Sequence, residues 1–376
     1  MGAEALSEAT SSHVDFASGD ERLDAPQLAP TGVTFRFSDP DHRLQTVMLR
    51  QDLRRPRRGP EFTFDERTSI WNLDFPRPRV NRMEYRFELI NRDGGSEEIA
   101  DPENPRGAPG PFGDKSVIEW PEYSRPEWCG MDPGDMGITE ELGLESQILR
   151  ARVPAIIWTS PGAQPAEELP LLIAHDGPEL AQFSDLLHLL AVKVTSRELP
   201  PMRAALLAPI DRDQHYSASA VYARALALEI VPALTRKIAV RPGRTMRVAM
   251  GASLGALAML HAHRIYPSLF GGLFLQSGSF FRQRFDPQEA RFVRFRRITR
   301  FVGQVLSAKE WPHPVPIAMT CGTVEENLAN NKATFAALRA QGYDGGLHEI
   351  PDAHNWIAWR DTFDPHLVEL LTGTWV

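Results

Sequence analysis

The chain has 376 residues, 42% of them hydrophobic, and a formal net charge of −8. That length suits two domains with a sizeable core, and the charge gives no basic signature for nucleic acid. No run of about eighteen apolar residues marks a membrane span, and two cysteines, Cys129 and Cys321, make neither a disulfide framework nor a thiolate metal cluster.

Residues 1–28 are polar and acidic and read as a mobile tail. They lack a basic start followed by an apolar stretch, so the expectation is a cytoplasmic protein without a secretory signal. Residues 29–121 turn to short β-rich runs at 33–37, 46–49, 62–64, 70–73 and 83–89, with turn residues such as Asp39-Pro40 and Arg92-Asp-Gly-Gly95 between them. That spacing predicts a small β-sandwich. The basic residues of 54–58 read as a solvated loop. The Pro/Gly-rich stretch 101–112 excludes a helix or central strand and is expected to wrap toward the next domain. Residues 122–147 read as linker.

From 148 to 376 strands and helices alternate, which predicts a mostly parallel sheet with helices on both faces. Strands are expected at 155–158, 169–174, 204–208, 273–276, 315–320 and 347–350, and helices over 218–238 and 328–341. Ligands of such sheets bind beyond the carboxyl ends of the strands. Those ends carry Asp176-Gly177, Asp211-Arg212, Ser253, Ser277, Ser279, Glu325-Glu326 and His354.

One stretch organises this half. Apolar residues from Arg247 run into Gly251-Ala-Ser-Leu-Gly255 and on into an Ala/Leu-rich helix. Strand, sharp turn and helix are the context of a nucleophile elbow. On so tight a turn the hydroxyl of Ser253 stands clear of the backbone, where a histidine can take its proton. Side chains at Gly251 or Gly255 would crowd the turn or the helix behind it.

Acyl transfer from an ester also needs a base, an acid to hold the base, and oxyanion donors. His354 follows the last strand and is the best base. The order nucleophile, acid, base puts the carboxylate between 253 and 354, at Glu325 or, second, Glu326. Asp352 is too close to His354 in sequence for this role. A loop histidine or a Glu-Glu pair before a helix is unremarkable alone; their joint order at strand ends is what points to chemistry. The oxyanion donors are expected at the N–H of Leu254 and at Gly177 or Glu179, because Pro178 has no N–H.

At these residues the chain resembles the esterase family that includes enterochelin (enterobactin) esterases, esterase D-type enzymes and mycolyltransferases. The matching landmarks are Ala174-His-Asp-Gly177, Met250-Gly-Ala-Ser-Leu-Gly-Ala256, Tyr266-Pro-Ser-Leu-Phe-Gly271, Gln276-Ser-Gly-Ser-Phe280, Cys321-Gly-Thr-Val-Glu325 and Asp352-Ala-His-Asn-Trp-Ile-Ala-Trp-Arg360. They cover roughly the C-terminal three-fifths of the chain. Asp101-Pro-Glu-Asn-Pro-Arg106 and the motif from Pro109 to Ser116 look like the N-terminal domain of enterochelin esterase-like proteins. The resemblance implies an α/β-hydrolase fold behind an N-terminal β-sandwich. It implies a triad of Ser253, His354 and Glu325 or Glu326, with Asp176, Arg212 and Trp356 near the substrate. It implies neither metal nor organic cofactor.

Residues 282–306 add an apolar stripe of Phe292, Phe295, Ile298, Val302 and Val305 beside a cationic stripe of Arg291, Arg294, Arg297 and Arg300. A solvated helix face is the favoured reading; the alternative is a segment that arches over the site and faces an anionic ester such as a catecholate. The leading expectation is therefore a serine carboxylesterase acting on a small-molecule ester. Acyl transfer to an alcohol shares its nucleophile and base, and a non-catalytic carbohydrate- or siderophore-binding protein is the rival from another class.

Overall fold

A computed structural model describes residues 26–53 and 59–375. The tail reading at 1–25 and the basic run 54–58 lie outside the described residues.

The N-terminal region contains strands β1 (Gln27–Ala29), β2 (Gly32–Ser38), β3 (Leu44–Gln51), β4 (Thr63–Asp65), β5 (Ile70–Pro76), β6 (Arg82–Asn91), β7 (Ser96–Ile99), β8 (Gly107–Ala108) and β9 (Lys115–Glu119). Two antiparallel sheets result, one ordered β1-β2-β5-β4 and the other β3-β6-β9-β8 with β7 beside β6. Alternation explains the faces, because successive side chains on a strand point opposite ways. Val33 and Phe35 of β2 meet Val47 and Leu49 of β3 and Tyr85 and Phe87 of β6 in one apolar core. Phe35 sits at its middle, with ring centroids 4.8 Å from Tyr85 and 6.1 Å from Phe87. The Pro/Gly-rich stretch contributes only β8, a two-residue strand antiparallel to β9.

The second unit is built on an eight-stranded sheet: β10 (Ile138–Ser146), β11 (Ala151–Thr159), β12 (Leu171–His175), β13 (Arg203–Leu207), β14 (Arg247–Ala252), β15 (Gly272–Gln276), β16 (Ile317–Gly322) and β17 (Gly345–Ile350). Their order is β10-β11-β13-β12-β14-β15-β16-β17. From β13 to β17 neighbours pair in parallel, whereas β11 pairs antiparallel with β10 on one side and β13 on the other. Every residue of β12, β13 and β15 is buried, as strands covered by helices on both faces require. Leu171 and Ile173 enter the core on one face, while Leu172 and Ala174 enter the core on the other. The helices Leu254–Ile265 and Phe295–Ser307 cover the first face, and Leu186–Thr195 and Val368–Trp375 cover the second. Each fully buried Leu or Phe contributes roughly 1.5–3 kcal/mol, so these two layers hold the rim that carries the polar groups.

Three expectations need correction. The stretch 122–147 is not all linker, because it contains β10, which pairs with β11 over nine residues. Its first residues, Ile138 to Glu141, are exposed; an edge strand with one solvated face carries glutamates and lacks the apolar run of its neighbours. Gln27 and Leu28 belong to β1 and are not tail. The helix expected over 218–238 is helical from Ala220 to Lys237 but passes through a π turn at Leu226–Ile230.

Candidate active site

Ser253 stands between β14 and the helix Leu254–Ile265 with φ 57° and ψ −120°. A non-glycine residue rarely adopts that backbone, and strain of this kind collects at functional turns. The turn depends on Gly251, where an added Cβ would lie 2.6 Å from the backbone carbon of Gly255. Gly255 itself is under less constraint: a Cβ there would meet Asp176 Oδ2 and His175 Cβ at 3.4 Å, an ordinary contact.

Glu325 and His354 lie on the loops after β16 and β17. His354 Nδ1 lies 2.8 Å from Glu325 Oε2. A carboxylate only accepts, so Nδ1 carries the proton and Nε2 is left as an acceptor. Glu325 is buried, and its other oxygen accepts from Ser277 Oγ at 2.6 Å and from the Gly322 N–H at 2.7 Å. Glu326 instead accepts from Gln288 Nε2 at 3.4 Å. Asp352 turns away from His354 and accepts from the Ala353 N–H and from Asn355 Nδ2. Of the two adjacent glutamates, Glu325 is thus bonded to the imidazole of His354 and Glu326 to the Gln288 amide.

Ser253 and His354 line the same cavity of about 390 Å³. The Ser253 hydroxyl is paired with Ser279 Oγ at 3.1 Å. Trp356 and Trp359 form an aromatic wall, their rings 4.9 Å apart and nearly perpendicular. The loop from Pro109 to Gly113, from the N-terminal region, closes the opposite side, with Phe112 almost fully exposed at the mouth.

Leu254 and Gly177 each open a helix. The first N–H groups of a helix have no partner within it and sit at its positive end. Gly177 must lack a side chain, since a Cβ would come 2.4 Å from the Leu206 Cα. Asp176 before it has a left-handed backbone and is clamped by Arg212, whose Nε reaches Oδ1 at 2.9 Å and whose Nη2 reaches Oδ2 at 2.7 Å. Burial opposes the charge on Arg212, but the Asp176 carboxylate outweighs it and the guanidinium pKa rises. Beneath them His175 is fully buried and bonded to the Tyr222 hydroxyl at 2.7 Å. Burial and the nearby Arg212 pull its pKa down to about 3, so it stays neutral.

Ser277, Ser279, Gly322 and Trp359 are parts of the site that sequence reasoning left without a role. Ser277 accepts from Trp359 Nε1 at 3.0 Å while it donates to Glu325, and Asn327 Nδ2 holds the Ser277 carbonyl at 2.8 Å. Gly322 has no room for a Cβ, which would fall 2.3 Å from the Asp352 carbonyl. Ser277 and Ser279 were visible as a polar strand end, but nothing in their spacing says which acid or hydroxyl they meet.

None of Arg291, Arg294, Arg297 and Arg300 lines this cavity. The helix Phe295–Ser307 buries Phe295, Ile298, Phe301, Val302 and Val305. Arg297 donates to the backbone carbonyls of Gln214 and Ser217. What the segment after β15 brings to the site is Phe281, Asp286, Gln288 and Glu289. Among the described residues no cluster of three or more His, Cys, Asp or Glu side chains is placed to hold a metal ion. Nor is any described helix long and apolar enough to cross a membrane.

Residues 155–370, more than half of the chain, match the esterase family described as "Putative esterase". The iron(III) enterobactin esterase of Escherichia coli K12 is 30% identical over 312 residues, covering 81% of this chain and 74% of that protein. The iron(III) enterobactin esterase of E. coli O6:H1 strain CFT073 is 27% identical over 305 residues, covering 79% and 72%. In fold, the chain is similar to the enterobactin esterase of Shigella flexneri crystallised in the presence of enterobactin. The TM-score is 0.72 at 21% identity, over 94% of this chain and 96% of that one. The ferric enterobactin esterase of Salmonella typhimurium gives a TM-score of 0.72 at 21% identity, over 91% and 93%. The chain belongs to this esterase family and is a hydrolase that acts on ester bonds.

Proposed function

We propose that the protein is a serine esterase that cleaves a siderophore-type ester, of the enterobactin class, through an acyl-enzyme on Ser253. The observation that carries this reading is the buried Glu325 held 2.8 Å from His354 Nδ1, in an adjoining cavity of about 260 Å³ that Ser253, Glu325 and His354 all line. In this reading the Ser253 hydroxyl leaves Ser279 for Nε2 of His354. Catalytic hydrogen bonds often form only once substrate is bound. As Oγ bonds to the ester carbon, His354 takes the hydroxyl proton, and Glu325 steadies the imidazolium. The N–H groups of Leu254 and Gly177 receive the negative oxygen. Collapse breaks the carbon–oxygen bond, and His354 returns the proton to the departing alcohol. Water deprotonated by His354 then attacks the acyl-enzyme, and the acid leaves as Oγ regains its proton.

The Asp176–Arg212 pair fits this scheme. A lone carboxylate next to the oxyanion donors would oppose the charge that develops there; neutralised by Arg212, it shapes the Gly177 turn without that penalty. The aromatic wall of Trp356 and Trp359 suits a planar acyl group, and the relatives named for enterobactin supply the substrate class. The test is fluorophosphonate labelling with mapping of the modified residue, together with release of 2,3-dihydroxy-N-benzoyl-serine from enterobactin. Label on Ser253, and loss of both signals in Ser253→Ala, is the expected result. Equal turnover by wild type and Ser253→Ala would remove the serine from the reaction.

A further inference from the structure

The loops that bring acid and base to the cavity, residues 323–327 and 351–355, both rest on one short stretch of the N-terminal region, residues 79–82. The Thr323 hydroxyl donates to the Arg79 carbonyl at 3.4 Å, and Val324 packs on the N-terminal apolar core. The Asn81 N–H donates to the Pro351 carbonyl at 2.8 Å. Ala353, adjacent to His354, is itself a member of that core and only 5% exposed. Asn355, on the other side of His354, has its Oδ1 shared between the Ala358 N–H at 2.8 Å and Arg82 Nη1 at 3.4 Å. His354 is therefore bracketed by two residues that the N-terminal sheets hold.

Arg82 is an unusual residue to find there. Its side chain is 3% exposed and paired with Glu84, itself 7% exposed, at 2.8 Å. A buried ion pair of this kind is poor evidence of a stability role, since well-packed apolar residues often do as well. Its direction is informative. Glu84 continues to Lys115 at 3.4 Å, and Lys115 to Asp52, and these three line the cavity that contains Ser253. At the other end the Arg82 charge faces Asp352 and Asn355. Burial pushes the Asp352 carboxyl up to about 7, and the Arg82 charge works against that rise.

We propose that Arg82 is a positioning residue for His354: through Asn355 and Asp352 it fixes the loop that carries the imidazole, and the N-terminal sheets thereby set the base against its acid. The proposal rests on the reading of Ser253, His354 and Glu325 given above. It assigns the N-terminal region a part in the geometry of the reaction, beyond walling the cavity through the loop from Pro109 to Gly113.

The test compares wild type, Arg82→Met, Arg82→Lys and Ser253→Ala as full-length proteins. Methionine keeps much of the stem volume and removes the charged fork; lysine keeps the charge but not the planar fork. The readouts are kcat and KM on a p-nitrophenyl ester, and amide hydrogen exchange across 351–360. Misplacement of a catalytic group by about 1 Å can cost on the order of 100-fold in rate. We expect Arg82→Met to melt cooperatively, to keep KM within about twofold, and to lose kcat by about 10-fold to 100-fold. Exchange over 351–355 should rise by about 10-fold or more with the eight-stranded sheet still protected. Arg82→Lys should fall between, and it carries the test by the same readouts if Arg82→Met does not fold. Wild-type kcat and wild-type exchange over 351–355 in a folded variant would overturn the proposal. If Ser253→Ala proves as active as wild type, the nucleophile reading fails, and the exchange over 351–355 still decides whether Arg82 holds the loop.

Discussion

The two regions of the molecule bury different things. In the eight-stranded sheet, β12, β13 and β15 are buried along their whole length between two helical layers, and polar groups are displaced to the carboxyl rim. In the N-terminal sheets the core is aromatic, and charged or polar groups such as Arg82, Glu84, Tyr85 and Asp101 lie inside it or at its border. Tyr85 donates to Asp101 at 2.6 Å, with burial the main influence raising the pKa of each. Buried polar groups are costly unless they are satisfied, and when satisfied they specify one arrangement. The larger unit thus supplies a rigid rim on which to place reacting groups, and the smaller one supplies specific contacts against that rim.

The largest effect that would break this division is expected at Glu325, the acid of the proposed triad. Glu325→Gln leaves a side chain of the same shape but favours the wrong imidazole tautomer. An analogous loss elsewhere costs about 10⁴-fold in kcat, and we expect a fall of about 10³–10⁴-fold here. Glu326→Gln, one residue away and directed at Gln288, should stay within about threefold. Steady-state rates on one ester substrate check both, and similar losses in the two variants would mean that direction at the rim does not matter.

Next in size is Phe35→Ala. Phe35 is fully buried with four aromatic neighbours, Phe62, Phe75, Tyr85 and Phe87. Truncating such a residue costs about 3–5 kcal/mol. If the N-terminal sheets hold the His354 loop, activity should be lost along the melting curve of those sheets, before the eight-stranded sheet unfolds. Thermal melts read by rate and by hydrogen exchange would show whether the two losses coincide.

The strand, tight turn and helix around Ser253 and the strands of the second unit could be read from the residues because each depends on local pattern. A fully buried strand is an apolar run, and a strained turn demands Gly251. What could not be read depends on direction or on distance along the chain. Glu325 and Glu326 are neighbours, and only the folded loop shows which one faces His354. The edge strand β10 is half-solvated and resembles linker. Of Arg291, Arg294, Arg297 and Arg300 only the last two lie in the helix Phe295–Ser307, and none of the four lines the cavity. The contact between Arg82 and Asn355 spans 273 positions, and no local pattern announces it.

A smaller effect separates the two regions by acid. Burial is the leading cause that lowers the pKa of His175 to about 3, and of His261, His263 and His366 to about 4, from 6.5. All four lie in the second unit, whereas the described N-terminal sheets contain only His42, which is exposed. A depressed histidine pKa favours the neutral folded form. The stability it contributes is complete above 6.5 and is lost as pH falls toward about 4. His215 is lowered by burial as well, whereas Asp352, raised to about 7, acts in the opposite sense as pH falls, as do Glu179, Asp361 and Asp101, which burial also raises. We expect the melting temperature to drop between pH 7 and pH 4.5, with exchange protection lost first in residues 171–375. Earlier loss in the N-terminal sheets would reverse the assignment.

The smallest effect is expected at Gly255, and it probes what the rim tolerates. Both glycines of the elbow are equal in the motif but not in the fold. The space beside Gly251 is filled by backbone, which cannot move aside, while Gly255 looks onto the Asp176 carboxylate and the His175 Cβ at 3.4 Å. Gly255 lies in the helix Leu254–Ile265, where alanine is favoured over glycine by about 1 kcal/mol. That gain opposes any displacement of Asp176, whose position is already fixed by Arg212. Gly255→Ala should therefore leave the melting temperature unchanged or slightly raised. Its rate should fall by no more than about threefold, through a small shift of the Gly177 turn. A large loss of rate in a variant of undiminished stability would place the tolerance of the oxyanion donors well below the scale of one methyl group.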